Sequence, residues 1–229
     1  MYYYLDHEQE LLNGFDHEIR NWELFIVLCC GEEVAEVVLS EARQVFKTLI
    51  PQIPFIGGDK NHLTGSLIGA VRYLALYKIM KIHGKLTEET GKVLFDAETA
   101  LIHQPTIPIP VSELMTADQL MERRRIRAQR SQERHYPEDY VYKFVPGNDE
   151  FDYGYDFFEC AAHKFFHAQD ADEFTPFYCY LDYPKCRRAK LGLVRTNTLA
   201  EGNNKCNHRF KIGGDTKLNW PPTFSESRK

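Results

Sequence analysis

Apolar positions in the first 130 residues recur at the spacing of amphipathic helices. Between Glu32 and Leu49, six of them fall on one face of a helix: Val34, Val37, Val38, Val45, Phe46 and Leu49. Residues 51–58 interrupt this pattern because they are rich in proline and glycine. A second helix is predicted over about residues 62–83, with Leu63, Leu67, Val71, Leu74 and Ile82 turned inward, and a third begins at Thr87.

Alternating prolines at residues 106–110 predict an extended linker, and Ser112 is placed to cap a fourth helix that ends near Arg130. The one basic run of the chain begins on this helix: Arg123, Arg124, Arg125, Arg127, Arg130 and Arg134. The run lacks interleaved aromatic residues and belongs to a chain of net charge −5. We therefore expect a solvated helix face and no nucleic-acid partner.

The pattern changes after Pro137. Residues 140–145 and 153–158 are aromatic and β-branched, and a turn at residues 146–149 between them predicts a hairpin. Short helices are expected after Cys160 and from Thr175, followed by strands at residues 191–198 and 205–211. The predicted fold class is α+β, with an N-terminal helical layer packed on a small, mainly antiparallel sheet and short helices in the C-terminal half.

The apolar runs, the first residues and the cysteines of the chain indicate its compartment and the class of protein to which it belongs. The apolar run from Leu24 to Cys30 is far shorter than the about 18 residues that span a bilayer. The first residues lack the basic region of a signal peptide, so we expect a cytoplasmic protein without a membrane partner. None of the six cysteines forms a C-x-x-C motif. Cys29 and Cys30 are expected to be buried, and four others lie near the C-terminal end: Cys160, Cys179, Cys186 and Cys206.

Four blocks of the C-terminal half occur in an order that resembles the L-2-amino-thiazoline-4-carboxylate hydrolase family. They lie at residues 130–141, 151–160, 176–183 and 195–210, and the resemblance spans roughly residues 49–211. It implies an N-terminal helical extension at 1–50, a hydrolase-like domain at 51–212 and a tail at 213–229. Within that domain, a helical part is expected at 51–135 and an α+β part at 136–212. Where the family has Cys-Asp-Phe-Arg-Phe, this chain has Cys206-Asn207-His208-Arg209-Phe210, so His208 adds a titratable group.

The resemblance implies that water adds at C2 of a cyclic amidine, L-2-amino-thiazoline-4-carboxylate, to give N-carbamoyl-L-cysteine. Such a site needs a base or nucleophile for C2, a donor for the tetrahedral intermediate and a cation for the 4-carboxylate. The leaving group is a thiolate whose conjugate acid has a pKa of about 8.5, so its departure needs little acid assistance.

Cys160 and His163 are three positions apart at the start of a predicted helix, which is the arrangement of an activated cysteine nucleophile. The alternative is a buried cysteine beside a hydrogen-bonded histidine. Cys179 and Asp182 repeat this offset on the next helix, where Asp182 would be a general base, an orienter of His163 or a surface carboxylate. Cys206 would face the same cavity or fill the core.

Two further roles remain open. No cofactor is expected, but Cys160, His163 and His167 form one helical stripe that could bind Zn²⁺ together with Cys179 or Cys206, unless the stripe faces the core. Arg195 and Arg209 on the last strands are candidates for binding the substrate carboxylate, and the alternative for each is an ion pair within the protein.

These residues support two hypotheses: a hydrolase that acts on a small cyclic amidine, or a non-catalytic module of the same fold that binds a small molecule. A homo-oligomer formed through the helical face around Tyr73 and Tyr77 is compatible with either.

Overall fold

The computed structural model describes residues 3–104 and 116–222. The helices are α1 Tyr3–Asp6, α2 Glu8–Cys30, α3 Glu32–Leu49, α4 Thr64–Ile82, α5 Thr87–Ala100, α6 Ala117–Ser131, α7 Ala161–Ala168, α8 Thr175–Tyr180 and α9 Asp182–Arg188. The strands are β1 Val141–Pro146, β2 Tyr153–Glu159, β3 Leu191–Val194 and β4 Cys206–Ile212. The predicted α+β class is confirmed.

The chain divides into two compact units. The first consists of Met1–Thr99 with Ala161–Leu181, and the second consists of Ala100–Cys160 with Asp182–Lys229. The chain therefore passes between the units at three points. This division runs through both the helical part and the α+β part that were predicted for the domain at 51–212.

Helix α4 is the central helix of the first unit because it is apolar around most of its circumference. Aromatic rings fill the space between it and its neighbours: Phe15 stacks on Phe46 at 4.9 Å, and Trp22 lies 5.3 Å from Tyr73. The prediction that Ile82 turns inward is wrong, since its side chain is 74% exposed at the end of the helix.

Tyr73 and Tyr77 are buried within the first unit, so their own side chains are not available to an oligomer interface. A homo-oligomer stays a prediction. The hydroxyl of Tyr77 donates to Glu173 Oε1 at 2.5 Å, and its ring stacks on Phe174 at 4.5 Å. These contacts attach the segment Ala161–Leu181 to α4, which explains why it belongs to the first unit.

The two adjacent cysteines of α2 also differ from expectation. Cys29 and Cys30 are half-buried rather than buried, because they lie at the edge of the packed face of the helix. Burial, reinforced by the neighbouring Cys29, raises the pKa of Cys30 to about 11. Among the described residues, no helix is both long enough and apolar enough to cross a membrane.

The second unit is built on an antiparallel sheet with the strand order β1-β2-β4-β3. The predicted hairpin is confirmed as β1 and β2. Strand β3 ends at Val194, earlier than predicted, because the N–H groups of Thr196 and Asn197 donate to the side chain of Asn207 instead of to a strand backbone.

The outer edge of β3 is covered by a residue of the predicted tail. Thr216 is fully buried; its hydroxyl accepts from the backbone N–H of Leu193 at 2.8 Å and donates to the carbonyl of Leu191 at 2.6 Å. Covering an edge strand in this way blocks pairing with other chains. The part of the tail that reaches Thr216 therefore belongs to the fold.

Helix α6 is capped at its N-terminus by Thr116, which forms a capping box with Gln119. The predicted cap Ser112 and the predicted linker at 106–110 lie outside the described residues. The expectation of a solvated arginine face is wrong for Arg124, whose guanidinium lies 4.2 Å from the centroid of the Tyr153 ring. Helix α6 thus packs against the sheet through one of its cations.

Candidate functional site

One face of the sheet in the second unit is lined by aromatic rings. Residues paired across antiparallel strands point to the same face, and Tyr155 pairs with His208 while Phe157 pairs with Cys206. We call this side the aromatic face; it comprises Tyr142, Phe144, Tyr153, Tyr155, Phe157, His208 and Phe210. Because side chains alternate along a strand, Asn207 and Arg209 point to the opposite face.

An aspartate, an arginine and a histidine meet at the β4 side of the aromatic face. Arg195 follows β3 and is 2% exposed, so its guanidinium is fixed by its surroundings. Its Nη1 donates to Asp182 Oδ2 at 2.9 Å and to His208 Nε2 at 2.9 Å. Asp182 Oδ2 lies 3.7 Å from His208 Nε2. Asp182 is the first residue of α9, so the cluster connects this helix to the sheet.

The arginine determines the protonation state of the histidine. A guanidinium has only donors, so His208 Nε2 must accept and cannot carry a proton. Burial lowers the pKa of His208, and the charges of Arg195 and Arg209 act in the same direction against the opposing effect of Asp182. The neutral ring therefore carries its proton on Nδ1, which is buried and has no hydrogen-bond partner in the described part of the chain.

Asp182 is the solvent-facing member of the cluster, with 48% of its side-chain surface exposed. Burial alone would raise the pKa of the carboxyl, but the charge of Arg195 lowers it, to about 2. Asp182 is thus an anion at neutral pH and neutralises the buried Arg195.

Arg209 lies on the other side of the sheet. Its Nη2 donates to Asp156 Oδ1 at 2.8 Å, and Lys205 Nζ donates to the same carboxylate at 2.6 Å. Arg195 and Arg209 therefore cannot bind one substrate carboxylate together. The alternative of an ion pair within the protein is observed for both arginines.

The structure divides the predicted site residues between the units. Asp182, Arg195 and Cys206 come together in the second unit, which also contains Cys160 and Arg209, whereas His163, His167 and Cys179 belong to the first. The prediction that Cys179 and Asp182 share a helix is wrong, because α8 ends at Tyr180. Pro184 has no N–H for the carbonyl of Tyr180, which favours a new helix start at this point.

The predicted partners of His163 also change. Burial lowers the pKa of His163, and the carboxylate that opposes this effect is Asp172, not Asp182. Asp172 also accepts from exposed His167, at 2.9 Å. The pairing of Cys160 with His163 stays a prediction from their spacing. Cys160 is half-buried and directly precedes α7.

Two cysteines of the second unit are poor nucleophiles. Cys206 is buried and its sulfur accepts from the backbone N–H of Leu199 at 3.1 Å, so the expected core position is observed. Burial raises the pKa of Cys206 and, with the charge of Asp182, raises that of Cys186 to about 12. Cys186 is one turn after Asp182 on α9, and this spacing could have indicated its proximity to the cluster.

Metal ligation finds no support in the geometry of the described residues. Within residues 3–104 and 116–222, no three His, Cys, Asp or Glu side chains are grouped as ligands of a metal ion. This includes the mixed set of Cys160, His163 and His167.

Asn207 stands where the family has aspartate, and its role here is structural. Its Oδ1 accepts from the backbone N–H groups of Thr196 and Asn197 at 3.0 and 2.7 Å, and its Nδ2 donates to Thr196 Oγ1 at 2.8 Å. A carboxylate oxygen could accept the same two backbone bonds. The exchange therefore preserves the turn that places Arg195 next to His208.

Comparison with known proteins agrees with the motifs. The family model of L-2-amino-thiazoline-4-carboxylic acid hydrolase matches residues 68–210, which is more than half of the chain. Searches with the chain returned no matching curated protein and no matching solved structure. The matched range contains β1 to β3, α9, the Asp182–Arg195–His208 cluster and all of β4 except its last two residues. The chain belongs to the L-2-amino-thiazoline-4-carboxylic acid hydrolase family.

Proposed function

We propose that this chain is a hydrolase that opens a cyclic amidine. Its simplest substrate is L-2-amino-thiazoline-4-carboxylate, which water converts to N-carbamoyl-L-cysteine. The observation that carries this proposal is the family match over residues 68–210. The aromatic face and its Asp182–Arg195–His208 cluster lie within the matched range and supply the kinds of group that the reaction needs.

The reaction is balanced by one water molecule. Oxygen bonds to C2 of the ring, the ring nitrogen gains a proton, and the C2–S bond breaks to release a thiolate. The Nδ1–H of His208 is a neutral donor without a partner in the described part of the chain, and it suits the charge that develops during this attack. Asp182 and Arg195 act as positioning residues because they hold the ring in this tautomer.

The proposed attacking group is Cys160, with His163 as its base. In that route Cys160 Sγ bonds to C2 and displaces the ring sulfur, and water then releases the urea product and restores the thiol. Cys186 and Cys206 are unsuited to this role because their pKa values are raised. Cys179 stays a proposed contributor to this route, and Asp182 contributes through the negative charge that it holds beside Arg195 and His208.

A second candidate function is the binding of a small molecule without turnover. The observation that favours it is the engagement of Arg195 and Asp182 with each other, which leaves no free carboxylate base in the cluster. A binding module would use the same aromatic face and the same His208 donor.

The test is incubation of the purified protein with L-2-amino-thiazoline-4-carboxylate, with N-carbamoyl-L-cysteine followed by mass spectrometry. Cys160→Ser removes the proposed nucleophile. Cys29→Ser is the matched control, because it makes the same chemical change on α2. We expect product from the wild type and the control and none from Cys160→Ser.

Absence of product at high enzyme concentration would retire this substrate. Tight binding without turnover would then favour the binding module. Full activity of Cys160→Ser would show that Cys160 is not the nucleophile, and direct attack of water on C2 would then be the proposed mechanism.

A further inference from the structure

Helix α6 turns two arginines toward the aromatic face. Arg124 stacks over the Tyr153 ring at 4.2 Å, and its Nη1 donates to the hydroxyl of Tyr155 at 3.1 Å. Stacking holds a guanidinium flat, so a planar anion can bind only along its edge. The Nε of Arg124 is on this edge; it is buried and finds no hydrogen-bond partner among the described residues.

Arg127 follows Arg124 by three residues and lies on the same side of the helix. Burial lowers the pKa of Arg127, and the charges of Arg123 and Arg124 add to this effect, while Tyr142 and Tyr155 oppose it. Within residues 3–104 and 116–222, neither Arg124 nor Arg127 forms an ion pair with a carboxylate.

The exposed arginine between them behaves differently. Arg125 is 52% exposed at its side chain and pairs with Glu122 at 2.7 Å. Arg125 also lies 5.4 Å from the ring of Phe144 on the aromatic face, but it has a carboxylate counter-ion, whereas Arg124 and Arg127 have none in the described chain. Like charges in partly buried positions repel each other, and a bound anion would relieve this repulsion.

The nearby tyrosines cannot supply the missing negative charge. Burial raises the pKa of Tyr153 to about 12 and raises that of Tyr142 as well, so both hydroxyls are neutral at physiological pH. They can line a ligand site and donate hydrogen bonds, but they do not neutralise a guanidinium.

The proposed reaction still needs a cation that binds the carboxylate of the substrate, because Arg195 and Arg209 are already bound to Asp182 and Asp156. Arg124 bonds to Tyr155, which is the strand partner of His208. We propose that Arg124 and Arg127 bind the carboxylate of the substrate while its ring lies against the aromatic face. This inference rests on the proposed function and assigns the carboxylate subsite of that site to helix α6.

The test compares two ligands that differ only in that group: L-2-amino-thiazoline-4-carboxylate and 2-amino-2-thiazoline. Dissociation constants are measured by calorimetry for the wild type and for Arg124→Met, Arg127→Met and Arg125→Met. The last variant is the matched control, since it removes a paired cation from the same helix. Arg124→Lys keeps the charge and loses the flat stack, and thermal unfolding of each variant verifies that it is folded.

We expect the wild type to bind the carboxylated ligand at least about tenfold more tightly than the other. Arg124→Met should remove most of this preference, Arg127→Met part of it, and Arg125→Met none. Equal binding of both ligands by the wild type, binding of neither, or the same loss for Arg124→Met and Arg125→Met would overturn the inference. Arginine-dependent binding without any product would sustain it and reject the hydrolase.

Discussion

Arg195 and Asp182 lie 13 positions apart, and Nη1 of the arginine donates to Oδ2 of the aspartate at 2.9 Å. The two ends of this ion pair have different surroundings. The guanidinium is buried after β3, whereas the carboxylate is 48% exposed at the start of α9. A pair of this kind fixes a helix to a sheet and still presents an anion to solvent. It also decides which nitrogen of His208 is protonated.

Replacement of Arg195 by methionine should lower the free energy of unfolding by about 1.5–3 kcal/mol. The reason is that His208 Nε2 loses its donor and Asp182 loses its charged partner, although solvent can still hydrate the carboxylate. Chemical denaturation measures the effect. Arg187→Met is the control, because the pair of Arg187 with Asp215 at 3.0 Å is solvent-exposed and should contribute less than about 1 kcal/mol. Equal losses for the two variants would contradict the assignment.

The stability of the wild type should depend on pH through Asp182. Its pKa is lowered from 3.8 to about 2, so its contribution is complete above 3.8 and is lost as the pH falls toward 2. Asp182→Asn lacks this contribution, so the difference in melting temperature between the two proteins should shrink over this range. Thermal scans at matched ionic strength measure it. A constant difference across the range would show that Asp182 titrates normally.

The thiols of the second unit should differ from the others in reactivity. Burial raises the pKa of Cys186 to about 12 and raises that of Cys206, so both are almost entirely protonated near neutral pH. We expect iodoacetamide to alkylate them at least about 100-fold more slowly than a free thiol, because the thiolate is the reacting species. Peptide mapping with and without urea measures this. Labelling of Cys186 as fast as that of half-buried Cys29 would contradict it, whereas rapid labelling of Cys160 would support the nucleophile proposal.

Asn207→Asp should change the free energy of unfolding less than Asn207→Ala does. Aspartate can still accept from Thr196 N and Asn197 N, so its unfolding free energy should stay within about 1 kcal/mol of the wild type. Alanine leaves both donors without this acceptor and should cost about 1–3 kcal/mol. Equilibrium denaturation compares the two. Equal destabilisation would mean that the amide group itself, through its bond to Thr196 Oγ1, is what the turn requires.

Local pattern was sufficient for much of the fold. Helix α3 occupies the predicted range, and the hairpin of β1 and β2 follows from two aromatic segments around a turn. The break at Leu181 has one local signal, Pro184, which cannot donate to the carbonyl of Tyr180, but proline is also compatible with the first turn of a helix. Sequence patterns also could not show that Ala161–Leu181 packs against α4, since that contact joins residues about 90 positions apart.

The site was predictable in composition but not in arrangement. Arg195 and Asp182 are both predicted site residues, yet nothing in their spacing indicates that they bind each other. Alternation along β4 could have placed His208 and Arg209 on opposite faces, but not which face receives α6 and α9. The importance of Arg124 was hidden because a run of arginines on a helix usually faces solvent. Its stack on Tyr153 and its bond to Tyr155 distinguish it from Arg125, which pairs with Glu122.

The three passages of the chain between the units constrain how this protein can be divided. Ala161–Leu181 leaves the second unit, packs with the first and returns, so neither unit is a continuous stretch of sequence. A fragment that ends at Thr99 lacks Phe174, which stacks on Tyr77 in the core of its unit. A fragment that begins at Ala100 carries those twenty-one residues without the helices that bury them. Neither half is therefore an exchangeable module, and recombination keeps the core of the first unit intact only when Met1–Thr99 and Ala161–Leu181 come from the same parent.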